Sequence, residues 1–291
     1  MPRTSPAQRP RIPADGLFGP DSVTWRVHAD PAMLLGGLRA LLLQALHPLA
    51  MAGVSQHSAF REDPWGRLDR TARFVGAVSY GTGAEVREAV RRVHRVHEHV
   101  RGTDPATGRE YRADDPELLV WVHACEVGSF LDVVRRAGLA LTAAEADAYL
   151  REQSVVARLV GVPPEVPVPD SAAALRHYFA AVRPELCVTP AAREAVRFAF
   201  LPPLHGSALL AVPAWAGLVG LALAMLPGWA RRMYGLPGWW ITDRAADLEA
   251  RALRSAVFRL PRGWWEGPYA VAARERYGLA AEPAGHPGRS V

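Results

Sequence analysis

Apolar residues recur at helical spacing along most of the chain, and capping residues and prolines mark where the helices begin and end. Residues 32–54 form one long apolar stretch in which Pro48 is placed to kink or end a helix. Asp63-Pro64 sets a capping carboxylate before a first-turn proline and predicts a helix over residues 64–79. Asp115-Pro116 repeats the device for a helix over 116–137, ended by Gly138. Another helix is expected over 84–101, stopping at Gly102, and Thr142 with Glu145 forms a capping box that opens one over 142–159. Further helices are predicted over 171–182, 190–200, 208–226 and 243–258. Alternating strand patterns and Asn-Gly hairpin signals are almost absent. The pattern therefore predicts one all-α, multi-helix domain over residues 23–275, between loose tails at 1–22 and 276–291. The proline-rich segment 163–169 reads as an extended internal crossing rather than a domain boundary.

Composition narrows the chemistry. The 291 residues carry 34 basic and 29 acidic side chains, for a net charge of +5, and every basic one is arginine. Without lysine there is no Schiff-base chemistry and no P-loop. Cys125 and Cys187 are too few for a disulfide framework or a cysteine zinc site. No Gly-x-Ser-x-Gly elbow, Rossmann glycine run or His-Glu-x-x-His motif is present. The arginines alternate with acids and apolar residues, which describes solvated helix faces and gives no basic block for nucleic acid. Ten histidines remain as the main chemical resource.

Residues 208–227 carry no charge and approach the length of a membrane span, with Arg231 and Arg232 following as a flank. The competing reading is a buried core helix broken near Pro213. The first residues are polar and proline-rich, without the apolar segment of a secretory leader, so a cytoplasmic protein is expected. Peripheral membrane contact is compatible with either reading of the apolar segment.

Helical phase sorts the histidines. On the 84–101 helix, Val86, Val90, Val93 and Val100 form one stripe, and His97 fills its missing step, about 20° from Val86. His94 falls at the stripe's edge, about 80° round, and His99 on the opposite face, about 220° round. An inward histidine is either bonded to a backbone carbonyl or a metal or haem ligand, and periodicity leaves both open. His123 lies on a helix apolar nearly all round and is placed to pair with Glu126. On the 64–79 helix, Arg67, Arg70 and Thr71 at i, i+3 and i+4 share a face, able to clamp a carboxylate or stabilise bound oxygen. The plainer reading is a solvated basic face, with Asp69 and Arg73 as ion-pair partners. His47 and His57 read as buried caps, whereas His28, His177, His205 and His286 show no partner pattern.

Three blocks in order, QALHPLAMAGVSQHSAFREDPWGRLDRTARFV, VHRVHEHVRG and YRADDPELLVWVHACEVGSFL, resemble the rubber-oxygenase and MpaB-type oxygenase family. The resemblance runs from about Trp25 to about Pro261. It implies an all-α fold with a globin-like core around one buried haem b, whose proximal ligand is the histidine of the H-x-x-V-x-G block, His97. It implies further that Arg67 and Thr71, with His123, contact the cofactor, and that Arg67, Arg70 and Thr71 serve catalysis. The implied reaction is oxygenation by O2 of a small lipophilic molecule, prenylated or isoprenoid, including oxidative C=C cleavage. The chain departs from the family at two places. Arg70 stands where the latex-clearing members carry lysine, and residues 31–61 contain no Asp or Glu to match their upstream glutamate base. Two other classes remain open on the residues alone. One is a non-haem metalloenzyme built on His94 and His97 with His47 or His57. The other is a non-catalytic helical protein that binds haem or a lipophile.

Overall fold

In the computed structural model, which describes residues 10–58, 62–202 and 206–279, the expected caps form. Asp63 accepts the Gly66 N–H at 2.9 Å and starts α4 (Pro64–Tyr80). Asp115 accepts the Glu117 N–H at 2.9 Å and starts α6 (Pro116–Arg136). Thr142 with Glu145 forms the expected capping box and opens α7 (Ala143–Leu159), and a second box that the sequence reading did not single out, Thr82 with Glu85, opens α5 (Gly83–His99). The predicted helices at 171–182 and 190–200 are present as α8 (Ala172–Val182) and α9 (Pro190–Phe200).

The apolar stretch 32–54 is divided at Pro48, as expected, into two helices, α2 (Met33–Gln44) and α3 (Pro48–His57), whose axes differ by 106°. The break falls at His47, held extended before Pro48 as a residue preceding proline tends to be. Two short helices escape a pattern-based reading because they offer little periodicity: α1 (Val23–His28) and α11 (Gly228–Met233). α12 (Trp240–Val257) begins three residues early, and α13 (Pro268–Arg276) follows it, burying Ala270 and Ala273. α5 ends at His99, because residues 101–103 (β1, Arg101–Thr103) pair antiparallel with β2 (Glu110–Arg112). The hairpin loop is held by buried Asp104, whose carboxylate accepts the Ala106 and Thr107 N–H groups, and by Gly108 at φ +70°.

The predicted 208–226 helix is shortened to α10 (Val212–Ala224), with Pro213 in its first turn. Among the described residues no single helix is long and apolar enough to cross a membrane; α2 and α3 pass on length and composition only as a bent pair. Arg231 is not a membrane flank. It is buried, bonds the Ala224 carbonyl and lies 2.7 Å from Asp243, so it closes the end of α10 from within the core.

α2 and α6 form the centre of the packing. They run antiparallel, since Gln44 Nε2 donates to the Val122 carbonyl at one end and Gly36 abuts Phe130 at the other. Between these points buried Arg39 donates to Met225 O and Ser129 Oγ, each at 2.8 Å, and pairs with Asp132 at 3.0 Å. α10 and α12 add Leu221, Ala222, Ala246 and Ala250 to this core. A second core joins α1, α4, α5, α7 and α13 through Trp25, Val78, Val86, Val156 and Ala273.

Candidate functional site

The face of α4 that turns inward is narrow. Arg67, Thr71, Phe74 and Val75 are half-buried on it, whereas Arg70 is exposed and pairs with Asp63 at 3.1 Å. At 100° per residue Arg70 lies about 60° from Arg67 and about 100° from Thr71, which is enough to place it in solvent. The expected triad therefore reduces to Arg67 and Thr71. Asp69 and Arg73 form the predicted surface pair at 2.7 Å. Thr71 Oγ1 donates to the Arg67 carbonyl at 3.1 Å. The Arg67 guanidinium has no hydrogen-bond or ion-pair partner among the described residues. Burial, then the like charge of Arg70, lowers its pKa.

Arg67 and Thr71 open onto a cleft of about 1070 Å³, mouth included. Its walls are overwhelmingly apolar: Leu38, Leu41 and Leu42 of α2, Met51 and Val54 of α3, Val122 of α6, Val196 and Phe198 of α9, and Val219 of α10. Trp65 and Trp215 meet edge-on across it, with ring centroids 4.8 Å apart, and Gln44, Arg67 and Thr71 are its polar lining residues. A cleft of this kind takes a lipophilic ligand and orients it with few polar contacts.

α5 sorts its histidines as its phase demands. Val86 and Val90 are buried, and His97 continues their stripe, half-buried. His94 bonds the Leu159 carbonyl at 2.8 Å, and exposed His99 bonds its own helix at Arg95 O, 2.6 Å away. The His97 imidazole makes no hydrogen bond with any described residue, and its Nδ1 is buried without a partner among them. Burial, reinforced by His94, lowers its pKa and holds the ring neutral. A neutral imidazole with a free nitrogen is the form that ligates a metal. The cleft lining that contains Arg67 and Thr71 does not include His97.

His123 is buried, but it does not pair with Glu126 as expected. Its Nε2 has no partner, and burial, then Arg158, lowers its pKa to about 4. His47, at the α3 N-cap, makes no side-chain cap bond, and its Nδ1 is likewise unpartnered. His57 Nε2 is shared by Arg101 O and the Tyr111 hydroxyl, both at 3.1 Å. His205 and His286 lie outside the described residues. Cys125 is buried with its thiol pushed well above the usual range by burial, which is contrary to a thiolate ligand. Among the described residues no three His, Cys, Asp or Glu side chains gather as a metal site.

One polar group escaped the pattern reading: His28 bridges Ser79 of α4 and Tyr149 of α7.

A family model described as "ER-bound oxygenase mpaB/B'/Rubber oxygenase, catalytic domain" matches residues 25–259. The chain belongs to this oxygenase family. The match spans all three motif blocks and every helix from α2 to α12, so it covers both the α4 face and His97. No curated protein and no solved structure matches the chain. Membership in the mpaB/rubber oxygenase family makes the chain an oxygenase catalytic domain, and its helical fold agrees with an all-α architecture.

Proposed function

We propose that this member of the mpaB/rubber oxygenase family is a haem b-dependent oxygenase that uses O2 on a lipophilic alkene of prenylated or isoprenoid type. The observation that carries the reading is His97, a neutral inward imidazole with an unpartnered buried Nδ1, in a protein whose described residues gather no multi-ligand metal site. A lone histidine suits a porphyrin-bound iron, because the macrocycle provides the other in-plane ligands. A bare ion would need three or four protein donors. A non-haem site would recruit His94 beside His97, with His47 or His57; of these, His94 and His57 are already bonded to backbone carbonyls.

In this reading His97, whose buried Nδ1 has no partner among the described residues, would hold the iron. Bound haem supplies the redox centre at which O2 is activated. Arg67, a cation without an ion-pair partner among the described residues, lines the apolar cleft and would stabilise negative charge developing on oxygen. Thr71 adds a hydroxyl on the same face, and the apolar walls of α2, α3 and α9 exclude water and align the alkene.

The absorption spectrum of the purified protein, before and after dithionite, tests the reading. A Soret band that shifts on reduction is expected, and His97→Ala should lose it while His94→Ala keeps it. A folded protein that neither carries haem nor takes it up on reconstitution would overturn the proposal.

A further inference from the structure

Of the residues that line the apolar cleft, Trp65 alone is exposed, at 38%, whereas Leu38, Leu42, Met51 and Val219 are buried in its depth. Trp65 therefore marks where the cleft meets solvent. Its ring stands edge-on to Trp215 with centroids 4.8 Å apart, which is direct contact, so nothing passes between the two rings as they stand. The cleft as a whole, about 1070 Å³, is large for a ligand pocket and has room for more than a slender chain. Selection by girth accordingly falls at the mouth and not in the interior. The two rings are held unequally. Trp215 Nε1 donates to the Ala199 carbonyl at 2.7 Å, and its ring packs against the main core. Trp65 stands in the first turn of α4, next to Pro64. Among the described residues its indole N–H makes no hydrogen bond, and its one ring contact is with Trp215.

We infer that Trp65 is the gate that limits the girth of the lipophile admitted to the cleft, swinging away from pinned Trp215 to pass an acyclic chain and holding back fused-ring molecules. The inference rests on the reading of the cleft as the substrate site and adds a specificity-determining residue to it. Rotation of the Trp65 ring about its side-chain torsions opens the mouth without moving the backbone, and exposed side chains make such rotations quickly. A flexible chain threads segment by segment through a brief, partial opening, whereas a rigid bicycle must pass whole. A ring at the mouth acts on entry and exit alike. Its signature is kinetic: association and dissociation rates change together, and the affinity changes little. A tryptophan that only walled the bound ligand would behave differently, because its removal would speed dissociation alone.

Farnesol and drimenol, isomeric C15 alcohols, differ in girth: the first is acyclic and the second a fused bicycle. Their binding to the immobilised protein, as purified, is followed by surface plasmon resonance. Farnesol should associate about tenfold faster than drimenol with the native protein, the low end of the range over which association rates vary. Trp65→Ala should bring the two association rates within about twofold by speeding drimenol, and drimenol dissociation should rise by a similar factor. Trp65→Phe, which keeps a smaller ring, should fall between. Helical circular dichroism establishes that each variant is folded. Equal association rates in the native protein, a gap that survives Trp65→Ala, or a variant in which dissociation alone changes overturns the gate alone. Binding of neither alcohol by native protein or variant overturns the gate together with the lipophile reading of the cleft. The haem reading is decided separately by the Soret band.

Discussion

His28 Nε2 lies 2.9 Å from the Tyr149 hydroxyl, and the proton positions on both follow from a third group. Ser79 Oγ spends its only proton on the Val75 carbonyl at 2.6 Å. His28 Nδ1, 2.6 Å from Ser79 Oγ, must therefore donate to it, and Nε2 must accept from Tyr149. The imidazole is neutral, consistent with burial lowering its pKa from 6.5 to about 3. Between those values the unfolded chain binds a proton that the folded one refuses, so stability rises with pH there. The contribution of His28 is fully present above pH 6.5 and is lost as the pH falls towards 3. Thermal midpoints measured from pH 7 to pH 4 should fall, and His28→Gln should be less stable at pH 7 but show a shallower acid slope. Equal slopes would refute the assignment.

Glu126 titrates with the opposite sign. Its folded pKa of about 7 lies above the ordinary 4.5, so the folded chain holds the proton longer than the unfolded one. The stabilisation is present below pH 4.5 and is lost as the pH rises through 7. Glu126→Gln should match the native protein near pH 4 and exceed it in thermal midpoint at pH 8. A constant difference across the range would count against the buried carboxyl.

Adjacent glycines on α2 make a matched pair. A Cβ at Gly36 would stand 3.1 Å from Phe130 Cδ1 and 3.3 Å from its Cα, so α2 and α6 would have to separate. Gly36→Ala should cost about 1–2 kcal/mol despite the better helix propensity of alanine. At Gly37 the Cβ meets nothing within 4 Å, and Gly37→Ala should stabilise by about 0.5–1 kcal/mol. Urea unfolding of the two variants measures both signs.

What the sequence discloses is local. Asp63, Asp115 and Thr142 each cap the helix that follows, because a cap is set by residues within one turn. The inward phase of His97 is legible for the same reason, as helical rotation needs no knowledge of a partner. The fate of Arg70 was not legible. Whether a residue 60° off a face lies inside depends on how much of the helix its neighbours cover. Nor could the partner of His123 be read from Glu126 three residues away, since each helix face meets a different wall.

Arg231 distinguishes a core arginine from a membrane flank. Its guanidinium is buried, bonds Ala224 O and reaches Asp243 at 2.7 Å. A flanking arginine would tolerate methionine. Here Arg231→Met strips a charge from Asp243 and a donor from the α10 C-terminus, at a cost of about 3 kcal/mol. Denaturant unfolding should show this loss, and a near-native midpoint would contradict the buried role.

The strongest test of the α4 face is a comparison of neighbours of identical chemistry. Arg67 and Arg70 are one turn apart, yet the former lines the cleft without a partner among the described residues and the latter is exposed with Asp63. If positive charge at the cleft serves oxygenation, Arg67→Met should lower turnover of an isoprenoid alkene roughly 100-fold, the scale seen when one preorganised donor is removed. Arg70→Met should leave turnover within about twofold, because an exposed ion pair is screened and contributes little. Thr71→Val should fall between them, losing a hydroxyl but no charge. Equal losses at Arg67 and Arg70 would mean that the arginines act through the general positive field of α4, and the inward face would then have no special role.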